Sequence, residues 1–383
     1  MIQIRTVDQL PIKGGRAFYR VDYNVPLEGS TISDSTRIEE TLPTLRLLRE
    51  RDAAIVIASH LGRPKGKRDA KYSLKPVRAK LAELINADVQ WSDDCVGAEV
   101  EQKAAQLQTG QLLLLENLRF HPEEEKNERG FAEQLRNLAD FYVNDAFGAS
   151  HRAHASIDAL PRLFPADHTA GGLLLVREIE FLQKVTNVSE RPFVALLGGA
   201  KIAGKIEPLE ALVDLADTVL IGGGMANTFL AARGVKMGAS LVDQESIEVA
   251  KRISSRKIIL PVDVVTETGI VDVSRGLPDD QKALDIGPRT INEFDAALKK
   301  ARTIFWNGPM GMFEKEAFAK GTMAMARAVA EAHAMSVVGG GESVEAVNAS
   351  GYADRISHIS TGGGASLEFI AGTPLPGIDV LRV

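Results

Sequence analysis

Short apolar segments rich in Val, Ile and Leu recur along the chain, and stretches with helical spacing separate them. Continuous apolar runs of this kind are typical of strands buried on both faces of a sheet. They predict strands at 18–25, 53–59, 112–115 and 141–143, and then at 193–197, 218–221, 257–265, 283–286, 303–306, 336–338 and 358–360. Strand and helix alternate throughout, so the pattern predicts an α/β protein with two doubly wound domains built on parallel sheets.

The domain break is predicted near residues 160–170, where the sequence LPRLFPADHTA carries two prolines. A helical pattern follows at 173–185, and we interpret it as an interdomain helix, with an ordinary crossover helix inside one domain as the alternative. The predicted boundaries are listed here: an N-terminal domain at 1–170, a hinge helix at 171–185, a C-terminal domain at 186–371 and a tail at 372–383.

Composition narrows the class of protein. The 383 residues are 45% hydrophobic and 25% charged, close to the globular average, which argues against disorder and coiled coils. The formal net charge of −6 argues against general nucleic-acid binding, and no apolar run approaches the roughly 18 residues of a membrane span. The single cysteine, Cys95, excludes an internal disulfide, and the chain opens without an apolar signal region, so we expect a cytoplasmic protein.

Polar side chains follow the strands predicted in the first half. The carboxyl ends of parallel strands meet at one edge of a sheet, where ligands bind. The residues in question are Asp22, Asn24, His60, Arg63, Arg119 and Arg152. Arg37 stands in a predicted helix start in which Thr36 and Glu39 have capping-box spacing, and its charge opposes the helix dipole. Considered alone, Arg37 could equally well be an ordinary solvent-exposed arginine. Considered together, these residues predict a pocket for a small polyanion.

Glycines replace the arginines at the strand ends of the second half. They predict close approach of backbone to a ligand and helix N-termini that hold phosphate, so we expect this half to bind a nucleotide. The groups are Gly198–Gly199, Gly222–Gly224, Gly308, Gly339–Gly341 and Gly362–Gly364. We expect Lys201 and Lys205 to lie one helical turn apart, facing either one phosphate chain or solvent. Ile206 has no hydroxyl for magnesium, which argues against a Walker P-loop, and no dinucleotide fingerprint is complete.

Three further features received structural interpretations. His151 and His154 could in principle bind metal, but no third soft ligand is nearby in sequence, so a structural or anion-facing role is favoured. The run Glu123–Glu125 is interpreted as a solvated loop or helix start. Cys95 has no recognisable histidine context, which argues against a covalent nucleophile.

The sequence resembles the phosphoglycerate kinase family along essentially its whole length. Nine blocks in the family's order carry the resemblance: RVDYNVP at 20–26, SHLGRPKG at 59–66, LLENLRFHPEEEKN at 114–127, NDAFGASHRAHAS at 144–156, LGGAKIAGKI at 197–206, IGGGMANTF at 221–229, WNGPMGMFE at 306–314, GGGES at 339–343 and STGGGASLEF at 360–369.

The resemblance implies two Rossmann-like domains joined by a hinge helix, with a C-terminal tail that returns to the N-terminal domain. It implies reversible phosphoryl transfer from 1,3-bisphosphoglycerate to MgADP, giving 3-phosphoglycerate and MgATP, in a monomer that needs Mg²⁺. The implied substrate residues are Asp22, Asn24, Arg37, His60, Leu61, Gly62, Arg63, Arg119 and Arg152. The implied nucleotide residues are Gly199, Lys201, Lys205, Gly222, Gly223, Asn307, Glu314, Gly340, Gly341, Glu342 and Ser343.

Catalysis is expected to rest on positioning and charge neutralisation, without a protein nucleophile. The residues implied in it are Arg37, Lys201, Lys205, Gly340 and Gly363. One departure concerns the metal: Glu342 stands where the family commonly has aspartate, one methylene shorter, and we expect it to keep the role of magnesium partner. The alternatives are a nucleotide-dependent binding protein without turnover and a kinase for a different small carboxylate.

Overall fold

The structure is a computed structural model that describes residues 2–29, 31–253 and 255–383. The chain divides into two compact units. Unit 1 comprises Met1–Glu180 together with Pro374–Val383, and unit 2 comprises Phe181–Thr373.

A six-stranded parallel sheet forms the centre of unit 1. Its strands are β1 (Arg16–Arg20), β4 (Ala54–Ala58), β5 (Val89–Trp91), β6 (Leu112–Leu114), β7 (Phe141–Asn144) and β8 (Thr169–Gly171). A separate antiparallel hairpin consists of β2 (Leu27–Glu28) and β3 (Thr31–Ile32). The order across the sheet is β5-β6-β4-β1-β7-β8. In register, Phe18 of β1 lies between Val56 of β4 and Tyr142 of β7. The predicted parallel α/β architecture is therefore confirmed in this unit.

Helices surround this sheet and bury its apolar side chains. They are α1 (Thr36–Glu39), α2 (Leu42–Glu50), α3 (Lys75–Ile85), α4 (Ala98–Gln106), α5 (Pro122–Glu125), α6 (Arg129–Arg136) and the first part of α7 (Leu173–Thr186). One continuous core joins Tyr19 and Ile57 of the sheet to Leu45 and Leu48 of α2 and Leu81 of α3. All five residues of β4 are buried, which explains why its sequence is uniformly apolar.

The chain passes from unit 1 to unit 2 within the range 171–185, for which a hinge helix was predicted. Residues 160–170 lie inside unit 1, because Thr169–Gly171 is the sixth strand of its sheet, and the division falls between Glu180 and Phe181 within α7. The tail belongs to unit 1, where Gly377 N donates to Ser150 O at 2.9 Å. A bridge between Ile4 and Arg382 also joins the two ends of the chain.

Unit 2 has a second six-stranded parallel sheet. The strands of the unit are β9 (Phe193–Leu197), β10 (Thr218–Ile221), β11 (Ile258–Ile259), β12 (Asp263–Thr266), β13 (Gly269–Asp272), β14 (Asp285–Ile286), β15 (Thr303–Asn307), β16 (Met335–Gly339) and β17 (His358–Ile359). The order in the main sheet is β11-β10-β9-β15-β16-β17. Its helices are α8 (Ile206–Leu215), α9 (Gly223–Ala232), α10 (Ile247–Arg252), α11 (Pro288–Leu298), α12 (Lys320–Glu331), α13 (Gly341–Ser350) and α14 (Gly364–Ile370), and α15 (Pro376–Asp379) follows in the tail.

A small antiparallel sheet in unit 2 corrects two sequence predictions. The single strand predicted at 257–265 is two strands, because Pro261 lacks the N–H that a continuing ladder needs. The second of them, β12, pairs antiparallel with β13 and with β14, so the run predicted at 283–286 also lies outside the main parallel sheet. Within the described residues, no helix has the length and apolar character needed to cross a membrane.

Candidate active site

The first predicted pocket lies at the carboxyl edge of the sheet in unit 1. Asp22 follows β1, and its Oδ2 accepts a 2.6 Å hydrogen bond from Nη1 of Arg37 in α1. Burial raises the pKa of Asp22, but Arg37, His60 and Arg20 outweigh burial and hold that pKa well below its usual value. The carboxylate is therefore ionised across the physiological range and fixes the guanidinium of Arg37.

The short helix that carries Arg37 begins differently from the prediction. Ser35 is the residue before its first turn, and Oδ1 of Asp34 accepts a 2.8 Å bond from the backbone N–H of Thr36. The predicted Thr36–Glu39 capping box is wrong, since Glu39 instead accepts a 2.5 Å bond from the hydroxyl of Ser35. The helix spans only four residues, so a cation in it opposes a small dipole.

His60 follows β4, and its ring lies between Asp22 and the fully buried Arg20. Its Nε2 is 3.8 Å from Oδ1 of Asp22, and its Nδ1 is 3.3 Å from Nη2 of Arg20. Burial lowers the pKa of His60 well below its usual value, and the nearby arginines lower it further against the opposing effect of Asp22. The imidazole is therefore neutral at neutral pH and acts as a hydrogen-bonding group.

The segment after His60 is held by side chains from neighbouring loops. The backbone N–H of Gly62 donates to Oδ1 of Asn24 at 2.8 Å, and its carbonyl accepts from Nη1 of Arg119 at 2.9 Å. The side-chain amide of Asn117 donates to the carbonyl of the buried residue Leu61. Gly62 has φ +61°, and a Cβ there would lie 2.4 Å from the ring of Tyr72, so only glycine fits. These contacts fix the loop that carries Arg63, which is exposed.

Arg119 and Arg152 lie in one electrostatic cluster with His151 and His154, for which the sequence favours a structural or anion-facing role. Arg119 is 4% exposed, and its Nε is buried without a hydrogen-bond partner, with Oε1 of Glu125 3.6 Å away. Burial lowers its pKa to about 10, so it remains charged. Burial and the fields of Arg119, Arg20, Arg152 and His151 lower the pKa of His154 to about 3. Burial is the largest cause of this shift, and the arginines add a positive potential at the cluster.

A buried ion pair supports this cluster from within the unit. Arg20 is fully buried, donates to Oγ of Ser156 at 2.8 Å and lies 4.0 Å from Oε1 of Glu124. The run Glu123–Glu125 does begin a helix, but the expectation that it is solvated is wrong for Glu124. Its carboxylate accepts from the N–H and the hydroxyl of Ser156. The carboxylate is needed there because the buried guanidinium of Arg20 requires a counter-charge.

A cavity of about 270 Å³ lies beside the glycine-rich strand ends of unit 2. Its wall combines glycines with apolar side chains, and Leu241 and Met312 are among its exposed members. The predicted residues in the wall are Gly199, Gly223, Glu314 and Glu342. Met310 and Met312 lie in the block at 306–314 that carries part of the family resemblance, whereas sequence patterns gave no sign of Leu241 or Asp285, which come from other loops.

The glycines of this half serve two purposes. Several pack closely against other loops: a Cβ on Gly308 would lie 2.2 Å from the carbonyl oxygen of Gly198, and one on Gly222 would lie 2.5 Å from the side-chain sulfur of Met310. These glycines bring strand ends together, which the sequence interpretation took for ligand approach. Gly341 and Gly363, by contrast, begin or precede helices and face open space.

The two lysines occupy different surroundings, and the prediction that they lie one helical turn apart is wrong. Residues 201–205 form a turn in which Gly204 has φ +78°, and α8 begins only at Ile206. Lys201 is exposed. Lys205 donates to Oδ1 of Asn307 at 3.2 Å, and burial lowers its pKa while Glu342 opposes that shift. Lys205, Asn307 and Glu342 are thus close neighbours.

The start of α13 completes this group. Gly340, with φ +92°, precedes the helix, and Glu342 is in its first turn, where the helix dipole favours a carboxylate. Asn307 is packed against Gly340, since a Cβ there would lie 2.9 Å from its amide nitrogen. Ser343 is fully buried, and its hydroxyl accepts a 2.5 Å bond from the N–H of Gly308. Unit 2 therefore groups a lysine, a carboxylate and a helix N-terminus, and the carboxylate of Glu342 also lines the cavity.

Comparison with known proteins decides the family. A sequence model described as phosphoglycerate kinase matches residues 7–373. The chain belongs to the phosphoglycerate kinase family. It is 50% identical to a phosphoglycerate kinase of Moorella thermoacetica, with 98% of each chain covered. It is 47% identical to one of an Anaeromyxobacter species, with 99% of each covered.

Solved phosphoglycerate kinases share the fold as well. The enzyme from Coxiella burnetii superposes with a TM-score of 0.87 at 35% identity, with 99% of each chain covered. The enzyme from Pyrococcus horikoshii superposes with a TM-score of 0.90 at 34% identity, with 99% of this chain and 98% of that chain covered. The chain is accordingly a glycolytic phosphotransferase with a carboxyl acceptor, which transfers a phosphoryl group reversibly between 1,3-bisphosphoglycerate and ADP.

Proposed function

We propose that 3-phosphoglycerate and 1,3-bisphosphoglycerate bind to unit 1 at Asp22, Asn24, Arg37, His60, Leu61, Gly62, Arg63, Arg119 and Arg152. The observation that carries this proposal is the pair of arginines held at this edge of the sheet: Nε of the buried Arg119 has no hydrogen-bond partner, and Nη1 of Arg37 is fixed by a 2.6 Å bond to Oδ2 of Asp22. Guanidinium groups bind carboxylate and phosphate oxygens in bidentate fashion, so the buried Arg119 and the Asp22-bound Arg37 suit a ligand with a charged group at each end.

The neighbouring groups provide the remaining contacts. Asp22 and Asn24 lie beside Arg37 and Gly62 and can receive the glycerate hydroxyl. The neutral ring of His60 can donate or accept a hydrogen bond without adding a charge. His151 and His154 belong to the same site, because both lie in the field of Arg119 and Arg152.

The nucleotide is proposed to occupy the cavity of unit 2. Gly199 and Gly223 line this cavity, and Gly222 directly precedes Gly223. Glu314, also in the wall, is assigned to a ribose hydroxyl. Lys201, Lys205, Asn307, Gly340, Gly341, Glu342 and Ser343 are assigned to the phosphates. In this assignment Ser343 acts indirectly, because its hydroxyl already holds Gly308 at the end of β15.

Mg²⁺ is proposed to arrive with the nucleotide and to be held by Glu342. The residues fit a hard cation, since Glu342 is an exposed carboxylate on the cavity wall beside the open backbone of Gly341. When bound, the ion would neutralise phosphate charge. The side chain of Glu342 also balances the ammonium of Lys205.

The chemistry assigned to the chain is charge neutralisation and alignment. The attacking group is already an oxygen anion, so no general base is required. Arg37 and Lys201 would stabilise the equatorial oxygens of the phosphoryl group during transfer, and Lys205 would hold the nucleotide phosphates. The backbone N–H groups after Gly340 and Gly363 would add hydrogen bonds to those oxygens.

Transfer between ligands on different units requires the units to approach each other. We propose that residues 171–185, at the junction of the units, act as the hinge and that closure excludes water from the acyl phosphate. Small-angle scattering with and without both substrates tests this: a smaller radius of gyration with both bound is expected, and an unchanged radius would contradict hinge closure.

The chain is further proposed to act as a monomer in the cytoplasm. Each proposed ligand site is composed of residues of a single chain, and the lone cysteine, Cys95, is free, which fits a reducing compartment. Light scattering after size-exclusion chromatography should give the mass of one chain. The mass of a dimer would contradict the proposed monomer.

Titration calorimetry with 3-phosphoglycerate tests the assignment of the substrate site. Arg119→Ala should weaken binding by about 10- to 100-fold, since a charge-assisted hydrogen bond contributes roughly 1.5–3 kcal/mol. Arg327→Ala is the control, because that exposed arginine pairs with Glu331 in unit 2. Equal affinity in Arg119→Ala and wild type would show that the anion binds elsewhere.

The metal assignment is tested with Glu342→Gln. The magnesium concentration needed for half-maximal turnover should rise, because the amide offers Mg²⁺ a neutral oxygen in place of a charged one. Glu345→Gln in the same helix is the matched control, since Glu345 is exposed and outside the cavity wall. An unchanged magnesium profile would show that Glu342 is not a metal partner.

A further inference from the structure

Three potential metal ligands meet in unit 1 outside the substrate residues. Asp94 and Cys95 lie in the loop between β5 and α4, and His121 lies between Phe120 and α5. One carboxylate oxygen, the thiol sulfur and one imidazole nitrogen lie within 4.8 Å of one another. No histidine stands near Cys95 in the sequence, because α4 and β6 separate it from His121; the fold brings the two residues together.

We propose that Asp94, Cys95 and His121 form a binding site for Zn²⁺ or a similar borderline-soft divalent cation. Zinc favours sulfur, nitrogen and oxygen donors at about 2.0–2.3 Å, so the donors of a tetrahedral site lie roughly 3.5 Å apart. The three donor atoms already lie within 4.8 Å of one another, so binding would draw them together by about 1 Å. On binding, the thiol proton of Cys95 passes to solvent, and the sulfur bonds to the metal as thiolate.

The surrounding contacts orient each ligand. Oδ1 of Asp94 faces Nε2 of His121 at 2.7 Å, whereas Oδ2 binds Nη2 of Arg68 at 3.1 Å. The oxygen facing the cluster can therefore take the metal while Arg68 keeps the other. The ring of Phe131 stacks on His121 with centroids 5.2 Å apart, which restricts the orientation of the imidazole. Such outer contacts set ligand geometry in metal sites.

The three ligand side chains differ in their exposure to solvent, as expected for a metal site that is accessible from one side. Cys95 is 1% exposed, whereas the side chains of His121 and Asp94 are 28% and 42% exposed. The sulfur is thus protected from bulk solvent, and the oxygen and nitrogen ligands form the route of entry. Water can fill the fourth position of a three-ligand zinc site.

A metal bound at this site would connect two loops of unit 1. His121 directly follows the turn Leu118–Phe120, which carries Arg119. A metal held by His121 and Cys95 would therefore tie the loop before α4 to the turn that carries Arg119. We expect the bound cation to raise the melting temperature, because it binds the folded chain in preference to the unfolded one.

Cobalt spectroscopy on the full chain tests the proposal. Co²⁺ takes the place of Zn²⁺ in such sites, and bonding to thiolate produces a charge-transfer band in the near ultraviolet. Because the chain has one cysteine, any such band reports Cys95 alone. Wild-type protein free of any tag, with one equivalent of Co²⁺, should show the band, and Zn²⁺ should abolish it. Absence of the band in wild type would overturn the site.

Five variants then test the ligand set. Cys95→Ala should lose the band, and His121→Asn and Asp94→Asn should each weaken Zn²⁺ binding by at least about tenfold. Asp93→Asn is the matched control, since the adjacent Asp93 pairs with Lys75 and lies outside the cluster. Arg68→Ala should tighten binding, because it removes a positive charge from Asp94. Weakening in Asp93→Asn equal to that in Asp94→Asn would contradict the ligand set.

Discussion

Oδ2 of Asp22 accepts a 2.6 Å hydrogen bond from Nη1 of Arg37, joining the end of β1 to the short helix α1. This bond holds the guanidinium at the carboxyl edge of the sheet, while 31% of the Arg37 side chain stays exposed to a ligand. The side chain combines a fixed position with an accessible charge, as an arginine that binds a moving phosphoryl group requires.

Asp22→Asn should therefore reduce kcat/KM for 3-phosphoglycerate by about 10- to 100-fold. The amide has no charge to hold Arg37, and charge-assisted hydrogen bonds contribute roughly 1.5–3 kcal/mol. Steady-state kinetics with 3-phosphoglycerate varied would measure the loss. Asp69→Asn, an exposed aspartate that accepts from the N–H of Lys71, is the control and should match wild type. A wild-type kcat/KM in Asp22→Asn would contradict the positioning role.

Binding of 3-phosphoglycerate should be accompanied by proton uptake at His154. Burial and the nearby arginines hold the pKa of His154 at about 3, so the free enzyme carries the ring neutral. A bound anion offsets the contribution of the arginines and raises that pKa toward its usual range, so binding in mildly acidic buffer should draw protons from the solution.

Calorimetry at pH 6 in two buffers of different protonation enthalpy would detect this uptake. The phosphate group of the ligand also exchanges protons with the buffer. Because this exchange is the same in wild type and His154→Asn, the difference between the two proteins reports His154 alone. Fewer protons should be taken up by the variant, whereas His333→Asn, at an exposed histidine of unit 2, should behave as wild type. Equal uptake in wild type and His154→Asn would contradict the prediction.

The stability of unit 1 should carry a pH dependence that originates at Asp145. Oδ2 of Asp145 lies 2.7 Å from the hydroxyl of Tyr19, which is also 3.0 Å from the carbonyl of Thr41. The single hydroxyl proton cannot serve both acceptors, so a protonated Asp145 completes both bonds. Burial is the main cause that raises the pKa of Asp145 to about 6.

Because this pKa is raised in the folded state, the contribution is fully present below the unfolded value near 4 and is lost as the pH rises through about 6. The wild type should lose ~3 kcal/mol of unfolding free energy from this group over that range. Asp145→Asn can donate to Tyr19 at every pH, so its urea-unfolding free energy should lack this loss. Parallel pH profiles for the two proteins would refute the assignment.

The sequence predicted the strands best where burial is complete on both faces. All residues of β4, β9 and β15 are buried, and their apolar runs marked them clearly. The strand Thr169–Gly171 was missed because its three residues include neither a long apolar nor an aromatic side chain. Its register is set by pairing with β7, a tertiary effect that no local pattern contains.

The site was predictable where residues directly follow strands, since topology alone brings such positions together. Asp22 and His60 are of this kind. Arg20 was missed because it lies within a buried strand, and Glu124 because its run of three acidic residues is typical of a solvated surface. The mutual positions of Lys201 and Lys205 depend on the left-handed backbone of Gly204, which sequence spacing does not indicate.

The most direct test of the proposed site is the 3-phosphoglycerate-dependent consumption of MgATP, coupled to an oxidation readout, in wild type, Arg37→Ala and Arg49→Ala. Arg49 lies in α2 and donates to the carbonyl of Gly110, so its variant controls for the loss of an arginine from the same region. We predict robust turnover in wild type and Arg49→Ala and a fall of about 10³-fold or more in kcat for Arg37→Ala, comparable to the loss of a catalytic arginine in other phosphoryl transfers. Turnover of Arg37→Ala close to that of wild type would contradict the account, because the phosphoryl group would then be stabilised without the arginine that Asp22 holds in place.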